Sequence, residues 1–186
     1  MVFKEEAGDA DSSFQQLLAA QKAGGQELSP VTGAWKKEPI PEGETQAEGD
    51  DALPLELKMT QEMQAWIRTF SQQPEGNRQV SMFNLLAFKG SSHGQAYTKY
   101  IDAFVKGVGT RWGGSGKIAG DVVSCSSTAE GVHEWDTMVI AQYPSIQHFA
   151  EMVVSEDYHE IDRKHRAGNL KDTLILCTVE VDLEGS

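Results

Sequence analysis

The stretch Trp135–Ser155, WDTMVIAQYPSIQHFAEMVVS, allows few folds. Val139 and Ile140 lie in a β-branched run that suits a buried strand. Pro144 cannot continue a ladder, so the strand must end by Tyr143. Ser145 then stands at an N-cap position. Ile146, Phe149, Ala150 and Val153 follow at i, i+3, i+4 and i+7, which is one apolar face of a helix. A strand that turns this tightly into a helix is half of an α+β unit.

The same periodicities place the other elements. Thr60 to Ser71 reads as a helix with Met63, Trp66, Ile67 and Phe70 on its buried face. QVSMFNLLAFK, residues 79–89, is a strand with apolar side chains on both parities, so it must be covered on both sides. Tyr97, Tyr100, Ile101, Phe104, Val105 and Val108 form a long helical stripe, ended by the glycines of 107–116. Residues 117–126 are a second strand, 155–170 a further helical turn or two, and 172–182 the last strand.

From residue 79 the order is therefore β-α-β-β-α-β, the ferredoxin-like arrangement, an α+β fold. In its usual strand order, 4-1-3-2, both helices cover one face of the sheet. The other face is apolar as well, and a second copy related by a two-fold axis is its simplest cover. The expectation is a homodimer with two sheets facing each other across a cavity that holds a small, largely apolar organic molecule.

Residues 1–57 stand apart as an acidic N-terminal extension, with 4 basic and 12 acidic side chains in a chain of net charge −12. FQQLLAAQKA, from Phe14, reads as a short helix stopped by Gly24-Gly25. The remainder is rich in Pro, Gly and acid and reads as a flexible tail. The alternative is an arm that docks through Trp35. The folded domain is expected over residues 58–186.

Charge and composition exclude several classes. The acidic balance argues against nucleic-acid binding, and no apolar run reaches membrane-spanning length. The first residues lack the apolar core of a signal peptide. Cys125 and Cys177, in predicted edge strands, suit a reducing, cytoplasmic compartment better than a disulfide framework. GVGTRWGGSGK, 107–117, is not a phosphate loop, because no Ser or Thr follows Gly116-Lys117 and its glycines end a helix. Nothing points to a flavin, a nicotinamide or another cofactor.

Several short motifs, in this order, carry a resemblance. They are VSMFNLLAFKG, Tyr97 and Tyr100 with Phe104, Gly113-Gly114, Trp135-Asp136, Tyr143-Pro144-Ser145, Phe149, Glu156-Asp157-Tyr158 and the run His165 to Leu170. Together they resemble the DUF1330 family of the dimeric α+β barrel superfamily, over residues 58–182. The resemblance implies a ferredoxin-like homodimer. The wider superfamily includes cofactor-free monooxygenases, isomerases, cyclases and haem enzymes, and the family itself has no settled reaction.

Candidate site residues follow from chemistry. Trp135 and Asp136 point to opposite faces of a strand, one toward the helices and one toward the inter-sheet cavity. Asp136 in a desolvated cavity is a candidate acid or base, and its plainer role is to cap a turn or pair with an arginine. His159, Asp162 and His165 fall at i, i+3 and i+6, too wide a set for a metal. Asp162 with Arg163 and Arg166 reads as surface ion pairs. His165 suits proton transfer near neutrality, with Tyr158 as a hydrogen-bond donor. Asn84, whose plainer role is a structural hydrogen bond, and Arg166 are expected to orient a carbonyl or anionic oxygen, and Trp135 to contact substrate. Cofactor-independent proton transfer or oxygenation is the expected enzyme chemistry. The rival is a non-catalytic assembly module that uses the acidic arm.

Overall fold

The apolar strand centred on Asn84 sits in the interior of the sheet, and the rest of the chain is laid on either side of it. The computed structural model describes residues 2–3, 28–36, 56–90, 93–124 and 135–181. In chain order these form β1 (Val2–Phe3), a 3-10 turn at Ala34–Lys36, α1 (Gln61–Phe70), a 3-10 turn at Pro74–Asn77, and β2 (Val80–Phe88). There follow α2 (His93–Lys106), the single turn α3 (Val108–Arg111), β3 (Ser115–Ser124) and β4 (Thr137–Tyr143). The chain then runs through α4 (Ile146–Val153), α5 (Glu156–Ile161), a π-helical turn at Asp162–Arg166, a 3-10 turn at Ala167–Asn169, and β5 (Leu170–Thr178). The expected helix from Phe14 and the predicted strand residue Cys125 lie outside the described residues.

The sheet order is β1-β3-β4-β2-β5, with every pairing antiparallel. Its four main strands, β2 to β5, follow the ferredoxin-like order. The two-residue β1 lies along the outer side of β3, which sequence alone left as an edge. The last strand begins and ends a few residues earlier than its apolar run predicts.

Period-two alternation sorts the two sheet faces. Val80, Met82, Leu86 and Phe88 are buried on the helix side, with Asn84 among them. Phe83 and Leu85 point the other way, where the register sets Ile140, Leu174 and Leu176 against them and Ile118 against Ile140. Ile118, Leu174 and Leu176 are 46%, 37% and 51% exposed there.

Helix boundaries follow local chemistry. Thr60 caps α1, its hydroxyl accepting from Met63 N at 3.1 Å. The helix buries Ile67, while Trp66 of the predicted stripe stays 44% exposed and stacks on Phe70. Ser145 holds the N-cap position of α4 but makes no capping bond; its hydroxyl pairs instead with His148 Nδ1 at 2.9 Å. Gly113 turns the chain after α3 with a φ of +70°, a left-handed conformation that favours glycine.

Residues 28–36 pack against α4. Glu151, almost fully buried, accepts from Thr32 Oγ1 at 3.1 Å, from Gly33 N, and from Ala34 N at 3.2 Å. Trp35 is fully buried in the same core as Ile67, Ile146 and Phe149. Lys36 Nζ lies over the Trp35 ring, and Arg68 Nη2 donates to the Lys36 carbonyl at 3.2 Å. Trp35→Ala should therefore cost about 3 kcal/mol in urea unfolding, the lower part of the range for a buried aromatic, because its indole N–H has no partner among the described residues. A change under about 0.5 kcal/mol, the size expected of an exposed residue, would contradict this docking.

Candidate functional site

A cavity of about 70 Å³ lies between the helix layer and the helix-side face of the sheet. Its apolar walls include Met82, Phe104, Val139, Ala141 and Ile175. Six polar side chains turn into it: Asn84, Tyr97, Tyr100, Tyr143, Tyr158 and Arg166. The four tyrosines are all that the chain possesses.

Each polar residue is placed by its element. Asn84, at the middle of β2, donates through Nδ2 to the Met82 carbonyl at 2.8 Å and to the Val139 carbonyl at 3.2 Å. Tyr97 and Tyr100 are neighbours on α2 with ring centroids 5.6 Å apart, continuing to Phe104 at 5.8 Å. Phe88 meets Tyr97 edge-on at 5.3 Å. Tyr143 ends β4, and Gly114 gives it room: a Cβ there would stand 2.9 Å from the tyrosine ring.

Arg166 and Asp162 form the electrostatic centre. The pair is buried, at 4% and 0% exposure, with Arg166 Nη1 donating to Asp162 Oδ1 at 2.8 Å. Tyr158 Oη donates to the same oxygen at 3.3 Å, and Leu57 N donates to Oδ2 at 3.3 Å. Arg166 Nη2 reaches Thr173 Oγ1 at 3.4 Å. This corrects the surface-pair reading of Asp162 with Arg166, because the π-helical turn rolls both groups under α2 and α5. Burial works against the Arg166 charge, but Tyr158, Tyr100 and Asp162 more than offset it and hold the guanidinium protonated.

Burial also governs the tyrosines. It pushes Tyr100 up to about 12, with Arg166 pulling the other way. Tyr97, Tyr143 and Tyr158 are raised as well, in each case chiefly by burial. All four hydroxyls therefore stay protonated as donors at neutral pH. Cys177, also pushed up to about 11 by burial, stays a thiol.

The structure brings together three of the six predicted site residues, Asn84, Tyr158 and Arg166. The other three are elsewhere. Asp136 accepts from Phe88 N at 2.7 Å, and its own N–H donates to the Leu86 carbonyl, so it fastens β4 to β2. Trp135, half-buried, lies outside the cavity wall, as does the half-buried His165, whose carbonyl accepts from Asn169 Nδ2 at 3.0 Å. The cavity is also not the inter-sheet one expected, since it sits on the helix side of the sheet. Tyr97, Tyr100, Tyr143 and Asp162 were not singled out as site residues. The available signals were tyrosine where a core stripe would carry Phe or Leu, and an Asp–Arg pair at i, i+4. Among the described residues no cluster of His, Cys, Asp or Glu could hold a metal, and no helix is long and apolar enough to cross a membrane.

Two outcomes follow. Asp162→Ala leaves a buried cation unpaired and should cost about 3–5 kcal/mol in urea unfolding; a loss below about 1 kcal/mol would mean a solvated pair. Alkaline titration should show tyrosinate absorbance rising well above the ordinary value of 10.0, with Tyr100 near 12. The folded state holds these protons more tightly than the unfolded chain. Their stabilisation is thus complete below pH 10 and is lost as pH rises through the folded values. Titration of all four near pH 10 in the folded protein would contradict the burial.

No family model and no curated protein matches this chain. Solved structures do. A protein of unknown function from Rhodopseudomonas palustris is 24% identical over 68% of this chain and 98% of its own, with a TM-score of 0.55. Its methylated form is 23% identical over 72% of this chain and 100% of its own, at the same TM-score. A dabb family protein with a ferredoxin-like fold, from Mesorhizobium loti, is 10% identical over 56% of this chain and 98% of its own, with a TM-score of 0.44. The likeness to the Rhodopseudomonas protein is one of fold, and the strand order identifies that fold as ferredoxin-like.

Proposed function

We propose that this protein binds a small, largely apolar organic molecule between its helices and its sheet, and does so as a homodimer. One observation carries the binding reading: an apolar-walled cavity into which four phenol hydroxyls, an amide and a buried guanidinium converge. Binding sites are commonly apolar pockets with a few convergent polar groups. The DUF1330-like motifs fit this reading, since Asn84, Tyr97, Tyr100, Tyr143, Tyr158 and Arg166 all fall within them.

The dimer rests on the opposite sheet face. Phe83, Leu85, Ile140, Leu174, Leu176 and Ile118 form one in-register apolar surface with no cover among the described residues. A surface of this kind is unusual on a monomer, and a two-fold axis lets two copies cover each other.

Binding is favoured over catalysis by proton transfer. Asp136 and His165, the predicted acid or base groups, are not on the cavity wall, and Asp162 is held by three donors. The assembly-module alternative is weaker because Trp35, the arm's anchor, is spent within its own chain.

Native mass spectrometry, gentle and then denaturing, tests both parts. The expected result is a dimer carrying a releasable organic mass. Leu176→Lys should give a folded monomer. An empty protein would remove the ligand reading, and a wild-type monomer would remove the dimer.

A further inference from the structure

The cavity wall is rich in donors and poor in charge. The hydroxyls of Tyr97 and Tyr143 have no hydrogen-bond partner among the described residues, whereas that of Tyr158 is bonded to Asp162. Asn84 has spent its N–H groups on main-chain carbonyls and offers only its oxygen. No histidine or carboxylate is on the wall. The one cation, Arg166, is already balanced by Asp162 at 2.8 Å.

These facts select a ligand. Two protonated phenols call for an acceptor atom, and a carbonyl oxygen can take both donors. An anion would add an unbalanced charge beside a pair that is already neutral, in a site with little water to screen it. The volume, about 70 Å³, is roughly half of the ~150 Å³ that holds benzene in an engineered apolar cavity. The molecule is therefore small, with about three non-hydrogen atoms seated within the cavity and any remainder at its open side.

We propose that the cavity selects small uncharged molecules carrying a carbonyl oxygen, which Tyr97 and Tyr143 hold by donated hydrogen bonds, and discriminates against carboxylates of equal size. This specificity rests on the binding function proposed above.

The test pairs 2-butanone with propionate, which differ chiefly in replacing a methyl group by a charged oxygen. Both are titrated into the full chain while the tyrosine ring resonances are followed by NMR. Butanone should bind at least about tenfold more tightly than propionate, because only propionate must bury an unbalanced charge. Combined Tyr97→Phe and Tyr143→Phe substitution should weaken butanone binding by about tenfold, the worth of one well-made hydrogen bond, without shifting thermal unfolding. If the double variant does not fold, Tyr143→Phe alone should weaken butanone binding. Propionate binding as tightly as butanone overturns the specificity and leaves the cavity as a binding site for anions. An unchanged butanone affinity in the folded variant overturns the role of the two phenols. Silence of the tyrosine resonances with both probes, at saturating millimolar concentrations, overturns the specificity and the binding function together.

Discussion

The carboxylate of Asp162 is the point at which separate parts of the fold are tied. It takes one donor from Leu57, on the segment that leads into α1, one from Tyr158 on α5, and one from Arg166 at the end of the π-helical turn. Arg166 in turn reaches Thr173 on β5. A buried ion pair is not in itself a strong stabiliser, since desolvation consumes most of the attraction. Its geometry is demanding, however. Every lone pair must find a donor at the right place, and here those donors come from an entry segment, a helix and the turn itself. The pair therefore fixes how the helix layer sits over the sheet, and so the shape of the space between them. The π-helical turn is part of the same device: widening the turn at Asp162–Arg166 brings both groups inward, and such turns recur at functional sites.

The aromatic groups depend on that arrangement. Tyr97 and Tyr100 could both have been phenylalanine, as Phe104 is, if the layer were only a core. The hydroxyls cost desolvation unless something uses them. Tyr158 uses its hydroxyl on Asp162, and Arg166 acts electrostatically on all four tyrosines. The low dielectric that makes the site costly also strengthens each contact made within it.

The strand–turn–helix of residues 137–153 was legible because a proline and a period of 3.6 lie within one short window. The sheet order followed from the order of elements. The site was less legible, for a physical reason. Periodicity says that Tyr100 and Tyr158 face inward, but not that two elements 58 residues apart meet. Asp162–Arg166 has the spacing of an ordinary surface pair, and only the packing of α2 and α5 above it makes it a buried one. Asp136 had the right chemistry for catalysis and a main-chain amide, Phe88 N, within reach to occupy it. Trp35 could be named as an anchor, but Glu151, its partner in fastening the segment, gave no sign in a helix otherwise read as apolar.

Docking of residues 28–36 has a consequence for how this chain can change over time. Lys36 and Leu57 are both tied to the domain, by Arg68 and Asp162 respectively, so the chain between them closes a loop at both ends. The entropy of closing such a loop grows only with the logarithm of its length, about 0.6 kcal/mol for each doubling. Insertions there should be nearly free of selection for stability, whereas a deletion too short to span the two anchors would pull Trp35 out of the core. Length between the two anchors is thus tolerated far more readily than the loss of either anchor.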